Sequence, residues 1–161
     1  MIRLAHASDV ADIARIWNHY IRDTLVTFHA DAKTESEVRE TIHSADVNGH
    51  ATFVAEVGSA VLGFATYRQF RSGPGYRRTM EHTVLVHPDG VGRGLGGALM
   101  DELEEHAARQ GYHSMFAGVS AANPPGRSFH EKRGYRFIAT LPEVGYKNTD
   151  WLDLHLLQKL L

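Results

Sequence analysis

Six consecutive residues, Gly92, Arg93, Gly94, Leu95, Gly96 and Gly97, are the densest chemical signal in the chain. They follow a strand-like run and a proline-containing loop, and they lead into a helix-like run. Glycine lets backbone approach an anion with no Cβ in the way, and the first N–H groups and the dipole of a helix favour phosphate at that point. The same composition also serves a tight strand-to-helix turn that binds nothing. The letters satisfy G-x-G-x-x-G, but a dinucleotide fold puts that run after its first strand, with an acidic residue roughly 20 residues later. Here several strand-like runs come first, and Tyr112 to Val119 contains no Asp or Glu. A nucleoside-triphosphate loop needs Lys and Ser or Thr after its last glycine, where this chain has Ala98 and Leu99.

Other chemistries are excluded by residue type. The chain has no cysteine, which removes disulfides, redox pairs, zinc–thiolate sites and any acyl-cysteine intermediate. Its 11 histidines contain no pair three or four residues apart, so no metal site is expected. Gly118, Val119, Ser120 and Ala121 approach the G-x-S-x-G nucleophile turn, but Ala122 replaces the final glycine. Lys and Arg total 17 against 19 Asp and Glu, a net charge of −2, which gives no electrostatic reason for nucleic acid or an anionic membrane as partner.

These residues need a scaffold, and 161 residues with 43% hydrophobic content are enough for one domain spanning 1–161 with a sizeable core. Met1 to Val10 is too polar for a signal peptide, and no apolar run is long enough to span a bilayer, so a cytoplasmic location is expected. A short strand is expected near Ile2 to Ala5. Ser8 is expected to cap a helix carrying Val10, Ile13, Ala14, Ile16 and Trp17 on one face. Thr34 and Glu37 form a capping-box pattern for a second helix reaching about Ser44. Thr52 to Glu56 and Val61 to Phe70 read as a hairpin around Gly58 and Ser59, and Thr79 to Val86 as a third strand. Leu95, Leu99, Leu103 and Ala107 make the apolar stripe of a helix that Gly111 can end. Met115 to Val119 is a further strand. Pro124 and Pro125 open a short helix stopped by Gly134, and extended segments near Tyr135 to Leu141 and Trp151 to Leu157 follow. Such alternation implies an α/β fold with helices on the faces of a mixed sheet.

With the elements in that order, the chain resembles the GNAT acetyltransferases over nearly its whole length. In that family the glycine loop binds the pyrophosphate of acetyl-CoA. The family's Arg or Gln slot three residues before Gly94 holds Val91, which removes a side chain and keeps the backbone donors. Asn123 matches the family asparagine before the next helix, and His130 to Tyr135 match that helix's end, whereas the usual serine after the asparagine is Gly126. Finer features are similar to the phosphinothricin and methionine sulfone or sulfoximine acetyltransferase branch. They are Asn18 to Ile21, Phe28, Arg71 to Tyr76, Glu81 to Val84, Val144 to Lys147 and Trp151 to Asp153.

The resemblance implies a GNAT fold, with one mixed and mostly antiparallel central sheet flanked by helices. It also implies acetyl-CoA as cosubstrate, a small-molecule amine as acceptor, and a homodimer. Acetyl transfer needs a neutral amine, and an alkyl amine with a pKa near ~10 is neutral in about one molecule in a thousand at pH 7. Glu81 is the candidate base, since a partly desolvated carboxylate titrates nearer neutrality; the alternative is a strand carboxylate facing solvent. His130 stands where many family members have a tyrosine. An imidazole there can serve the amine or the leaving thiolate, or be only a helix-surface residue. Val84, Leu85, Val86, Gly92, Arg93, Gly94, Leu95, Gly96, Gly97 and Asn123 are the expected cofactor contacts, with N–H groups near Leu85 and Val86 holding the oxyanion. Phe28, Arg71, Ser72, Gly73, Tyr76, Glu81, His82 and Thr83 are the expected acceptor contacts. Arg71 suits a carboxylate, Phe28 and Tyr76 can wall a side chain or simply pack, and His82 is equally a packing residue. The expected reaction is direct acetylation of the α-amine of phosphinothricin, methionine sulfoximine or methionine sulfone. Acetylation of a peptide N-terminus or another small amine, and a non-catalytic acyl-CoA sensor, are the alternatives.

Overall fold

Alternation along the strands decides which helix covers which face of the sheet. The computed structural model describes all 161 residues, and its strands are β1 (Ile2–Leu4), β2 (Thr52–Val57), β3 (Ala60–Gln69), β4 (Thr79–Val86), β5 (Ser114–Ser120), β6 (Arg136–Lys147) and β7 (Asp150–Leu160). They form one sheet in the order β1-β2-β3-β4-β5-β7-β6, antiparallel everywhere except between β4 and β5. The helices are α1 (Val10–Asp23), α2 (Glu35–Val47), α3 (Leu95–Arg109) and α4 (Pro124–Lys132). The expected α/β architecture, one mixed and mostly antiparallel sheet flanked by helices, is the one observed.

Phe53, Ala55, Ala65, Tyr67, Met80 and Met115 pack beneath Leu99, Met100, Leu103 and Ala107 of α3. Val54, Val61, Phe64 and Leu85, offset by one residue, pack beneath Val10, Ile13, Ile16 and Trp17 of α1 and Val38 of α2. Each fully buried aliphatic or methionine side chain contributes about 1.5–3 kcal/mol.

The local signals mostly hold. Thr34 caps α2 by accepting from Glu37 N–H at 3.2 Å, while the Glu37 carboxylate accepts from Thr34 N–H at 2.7 Å. Gly58, at φ +63°, and Ser59 close the β2–β3 hairpin. Three expectations need correction. Ser8 does not cap α1: Ala7–Asp9 form a 3₁₀ turn, and the Asp9 carboxylate instead accepts from His6 N–H at 2.7 Å and pairs with Arg3. The second helix runs on to Val47. The last two strands are longer than their apolar runs, because Asn148 and Thr149, both at positive φ, join them into a hairpin that keeps pairing through polar residues.

Candidate active site

The parallel pair β4–β5 stays in register from Thr79–Ser114 to His82–Ala117 and no further, although both strands continue, so they diverge past His82. On the other edge of β4, Phe70 N–H donates to Thr79 C=O at 3.0 Å and His87 N–H to Leu62 C=O at 2.8 Å. Antiparallel alternation between those two points commits Leu85 N–H to β3 and turns the backbone groups of Val84 and Val86 toward the gap. Of the two residues expected to present N–H groups there, Val86 does so and Leu85 does not. The Tyr20 hydroxyl donates to Val86 C=O at 2.5 Å, taking up a carbonyl that a paired strand would otherwise satisfy.

A cavity of about 440 Å³ opens at this divergence. Phe28, Glu81, His82, Thr83, Val84, Leu85, Asn123 and His130 all line it. A second, more polar cleft of about 1040 Å³ meets the first at Glu81, His82, Thr83 and Gly118, and Arg71, Ser72 and Gly73 line its far side. Tyr76 lines neither cavity and is exposed, because the 3₁₀ turn Pro74–Tyr76 carries it outward. Glu81 therefore stands where the two spaces join. Burial pushes its carboxyl above the usual carboxylate range, and the Arg68 guanidinium 3.8 Å away opposes that shift. Gly118 of β5 makes room for this side chain, since a Cβ there would lie 3.0 Å from Glu81 Oε1.

His82 and His130 meet across the opposite face of the sheet, their Nε2 atoms 2.9 Å apart. His130 Nδ1 lies 2.7 Å from Gly126 C=O. Burial holds both rings below the usual imidazole range, His82 at about 3. His82, expected as an acceptor contact or a packing residue, is thus bonded to the other candidate catalytic side chain.

The glycine loop lies outside both cavities. Gly92 and Gly94 take φ of +80° and +74°, where a side chain is strained, and the space a Cβ would enter there is open. The N–H groups of Gly92, Gly94, Leu95, Gly96 and Gly97 make no hydrogen bond within the protein, so five donors are left free around the start of α3. That cradle fits a pyrophosphate. Asn123 spends its side-chain oxygen on capping α4, accepting from Gly126 N–H at 3.1 Å. A Cβ at position 126 would sit 2.2 Å from the Asn123 amide nitrogen, so the glycine in the usual serine slot permits this fold-back.

Several contributors escaped the sequence reading. Lys147 is buried and donates to Thr24 C=O at 2.8 Å and Thr27 C=O at 2.9 Å, pinning the loop that carries Phe28. Gly145 lets Phe28 pack flat, since a Cβ there would sit 2.5 Å from the ring. Arg68, Tyr20 and Gly118 complete the set. Tyr20, Gly145 and Lys147 lie in segments that resemble the acetyltransferase branch, and Gly118 in the incomplete G-x-S-x-G run, but no residue pattern signalled these contacts, and Arg68 left no trace.

The family described as "Acetyltransferase (GNAT) family" matches residues 13–135. An L-amino acid N-acyltransferase of Escherichia coli (strain K12) is 34% identical over 157 residues, covering 98% of this chain and 91% of that protein. The L-methionine sulfoximine/L-methionine sulfone acetyltransferase of Salmonella typhimurium is 35% identical over 158 residues, covering 98% and 92%. Among solved structures, a phosphinothricin acetyltransferase from Sinorhizobium meliloti in complex with AcCoA superposes with a TM-score of 0.95 at 27% identity, covering all of this chain and 88% of that one.

Proposed function

The chain belongs to the GNAT acetyltransferase family and is an acyltransferase, and we propose that it moves acetyl from acetyl-CoA directly to the α-amine of a small amino-acid-like acceptor. Phosphinothricin, methionine sulfoximine and methionine sulfone are the acceptors to try first, because relatives are named for them. The observation that carries the reading is Glu81. It is a half-buried carboxylate of raised proton affinity, standing where a gap in the sheet meets an acceptor-sized cleft.

In this reading the five N–H groups of the glycine loop hold the pyrophosphate, and the thioester lies along the gap beside Val84 and Val86. Their N–H groups hold the carbonyl oxygen as charge develops on it. The acceptor sits in the polar cleft with its carboxylate toward Arg71, and Glu81 takes the ammonium proton directly or through water. Direct attack is consistent with a chain that has no cysteine to carry the acetyl group. His130 lines the other side of the cavity with both ring nitrogens engaged, and it serves the amine or the leaving thiolate only when its Nε2 is released from His82. The 1040 Å³ cleft exceeds what one amino acid needs, which favours a peptide N-terminus as a second acceptor class. The enzyme is proposed to be a cytoplasmic homodimer. Exposed Val144, Tyr146 and Trp151 on the β6–β7 arm support an interface.

The test is an amine panel with acetyl-CoA, read as release of free thiol, to which the cysteine-free protein adds no background. Turnover with α-amino acids carrying polar side chains, and little with amines lacking the carboxylate, is expected. Acetyl-CoA binding with no turnover on any amine refutes the reading.

A further inference from the structure

The two histidines beneath the gap constrain each other more tightly than either constrains a substrate. A backbone carbonyl only accepts, so the 2.7 Å contact with Gly126 requires the proton of a neutral His130 to sit on Nδ1. Its Nε2 then carries a lone pair. The 2.9 Å contact with His82 Nε2 must therefore be a donation from His82 to His130. That leaves His82 Nδ1 bare. It is buried without a partner in full hydrogen-bond geometry, although the Phe116 backbone carbonyl beside this ring favours a proton on it. The fully formed 2.7 Å contact at Gly126 outranks the incomplete one at Phe116, so the two protons of the pair run from His82 through His130 to Gly126.

From this geometry we infer that His82 is a positioning residue for His130: by donating its Nε2 proton it orients the His130 ring and keeps that ring neutral in the resting enzyme. The inference rests on the acetyltransferase reading for its consequence, not for its geometry. A proton arriving at His130 Nε2 must first displace the His82 bond, so the neutral ring is favoured. Burial acts in the same direction. The other groups facing the pair come from three elements. Tyr135, just before β6, has its ring centroid 5.3 Å from that of His130 and 5.5 Å from that of His82. Arg133, just past α4, disfavours charge on both rings, and Glu104 of α3 favours it on His130. Lys159 of β7 pairs with Glu104 at 2.6 Å and weakens that pull.

The test is long-range ¹H–¹⁵N NMR of the uniformly ¹⁵N-labelled full chain, with ring signals assigned through His82→Phe and His130→Gln. Expected are a protonated Nδ1 and bare Nε2 for His130, the opposite tautomer for His82, and a ¹⁵N–¹⁵N coupling across the hydrogen bond between their Nε2 atoms. His82→Phe preserves burial while removing the donor, so the His130 pKa should rise. In the same variant kcat should fall on the order of tenfold or more, with both KM values near wild type. Histidine 130 in the Nε2–H tautomer, or a His130 pKa unmoved by His82→Phe, overturns the inference. If His82→Phe does not fold, the wild-type tautomers and coupling decide alone. Wild-type protein that shows the NMR signature yet acetylates no amine refutes the acetyltransferase reading and upholds the pairing. Protein that acetylates amines without the signature refutes the pairing alone.

Discussion

The two ends of the site are built differently. The glycine loop is six neighbouring residues, five of whose N–H groups are left without a partner by one turn into α3, and no distant side chain is needed. The catalytic gap has no such local unit. Glu81 comes from β4, the space for its carboxylate from Gly118 of β5, the opposing charge from Arg68 of β3, and the carbonyl latch from Tyr20 of α1. An anion cradle needs only backbone in the right conformation, which a few glycines encode. A base of shifted proton affinity needs low-dielectric surroundings, which only packing from several elements supplies.

Substitutions that act on one end and spare the other sharpen this contrast. The largest effect is expected from Glu81→Gln, which keeps the shape and removes the base. Turnover should fall between about a hundredfold and ten-thousandfold, while the acetyl-CoA Kd, read by calorimetry, stays near wild type. A matching loss of acetyl-CoA affinity would break the separation between the two ends. Gly94→Val is the converse case. A β-branched residue at φ +74° costs about 1–2 kcal/mol in backbone strain, and its side chain enters the open cradle. The acetyl-CoA Kd should rise about tenfold or more with the acceptor KM little changed. Gly118→Ala acts at the gap by crowding the Glu81 carboxylate without removing it. Its Cβ meets the end of a flexible carboxylate, so the thermal midpoint should hardly move while kcat falls about tenfold from misplacement of Glu81. The smallest effect is expected from Arg68→Ala. Glu81 must be ionised to accept a proton, so activity falls as pH drops through its raised pKa. Arg68 holds that pKa down, and removing it moves the acid limb of kcat/KM to higher pH. Because Arg68 is largely exposed, solvent screening keeps that shift small.

Legibility followed the range of the forces involved. Helices and strands with a period in their side chains, the Thr34–Glu37 cap and the Gly58–Ser59 turn could be read directly, since each depends on residues a few positions apart. The start of α1 could not: Ser8 has the right chemistry for a cap, but Asp9 is drawn into an ion pair with Arg3 of β1, and the chain turns differently. Glu81 and His130 were candidates because their segments resemble known ones. That His130 would be bonded to His82 was not visible, since 48 residues separate them and α4 must pack on the sheet to bring the rings together. The segment ending at Lys147 resembled known ones, but the role of the lysine was not visible, because a lysine in a strand reads as surface until two loop carbonyls are folded over it.

The sequence by itself determined the order of elements, the glycine turn at the head of α3 and the absence of thiol chemistry, because local backbone preference and residue type are enough for those. Tertiary structure alone decided where β4 leaves β5, which N–H groups are left over at that edge, and how deeply Glu81 and the histidine pair are buried. Those are properties of strands and helices meeting, and proton affinity at a site is set by what surrounds it in space, not by what precedes it along the chain.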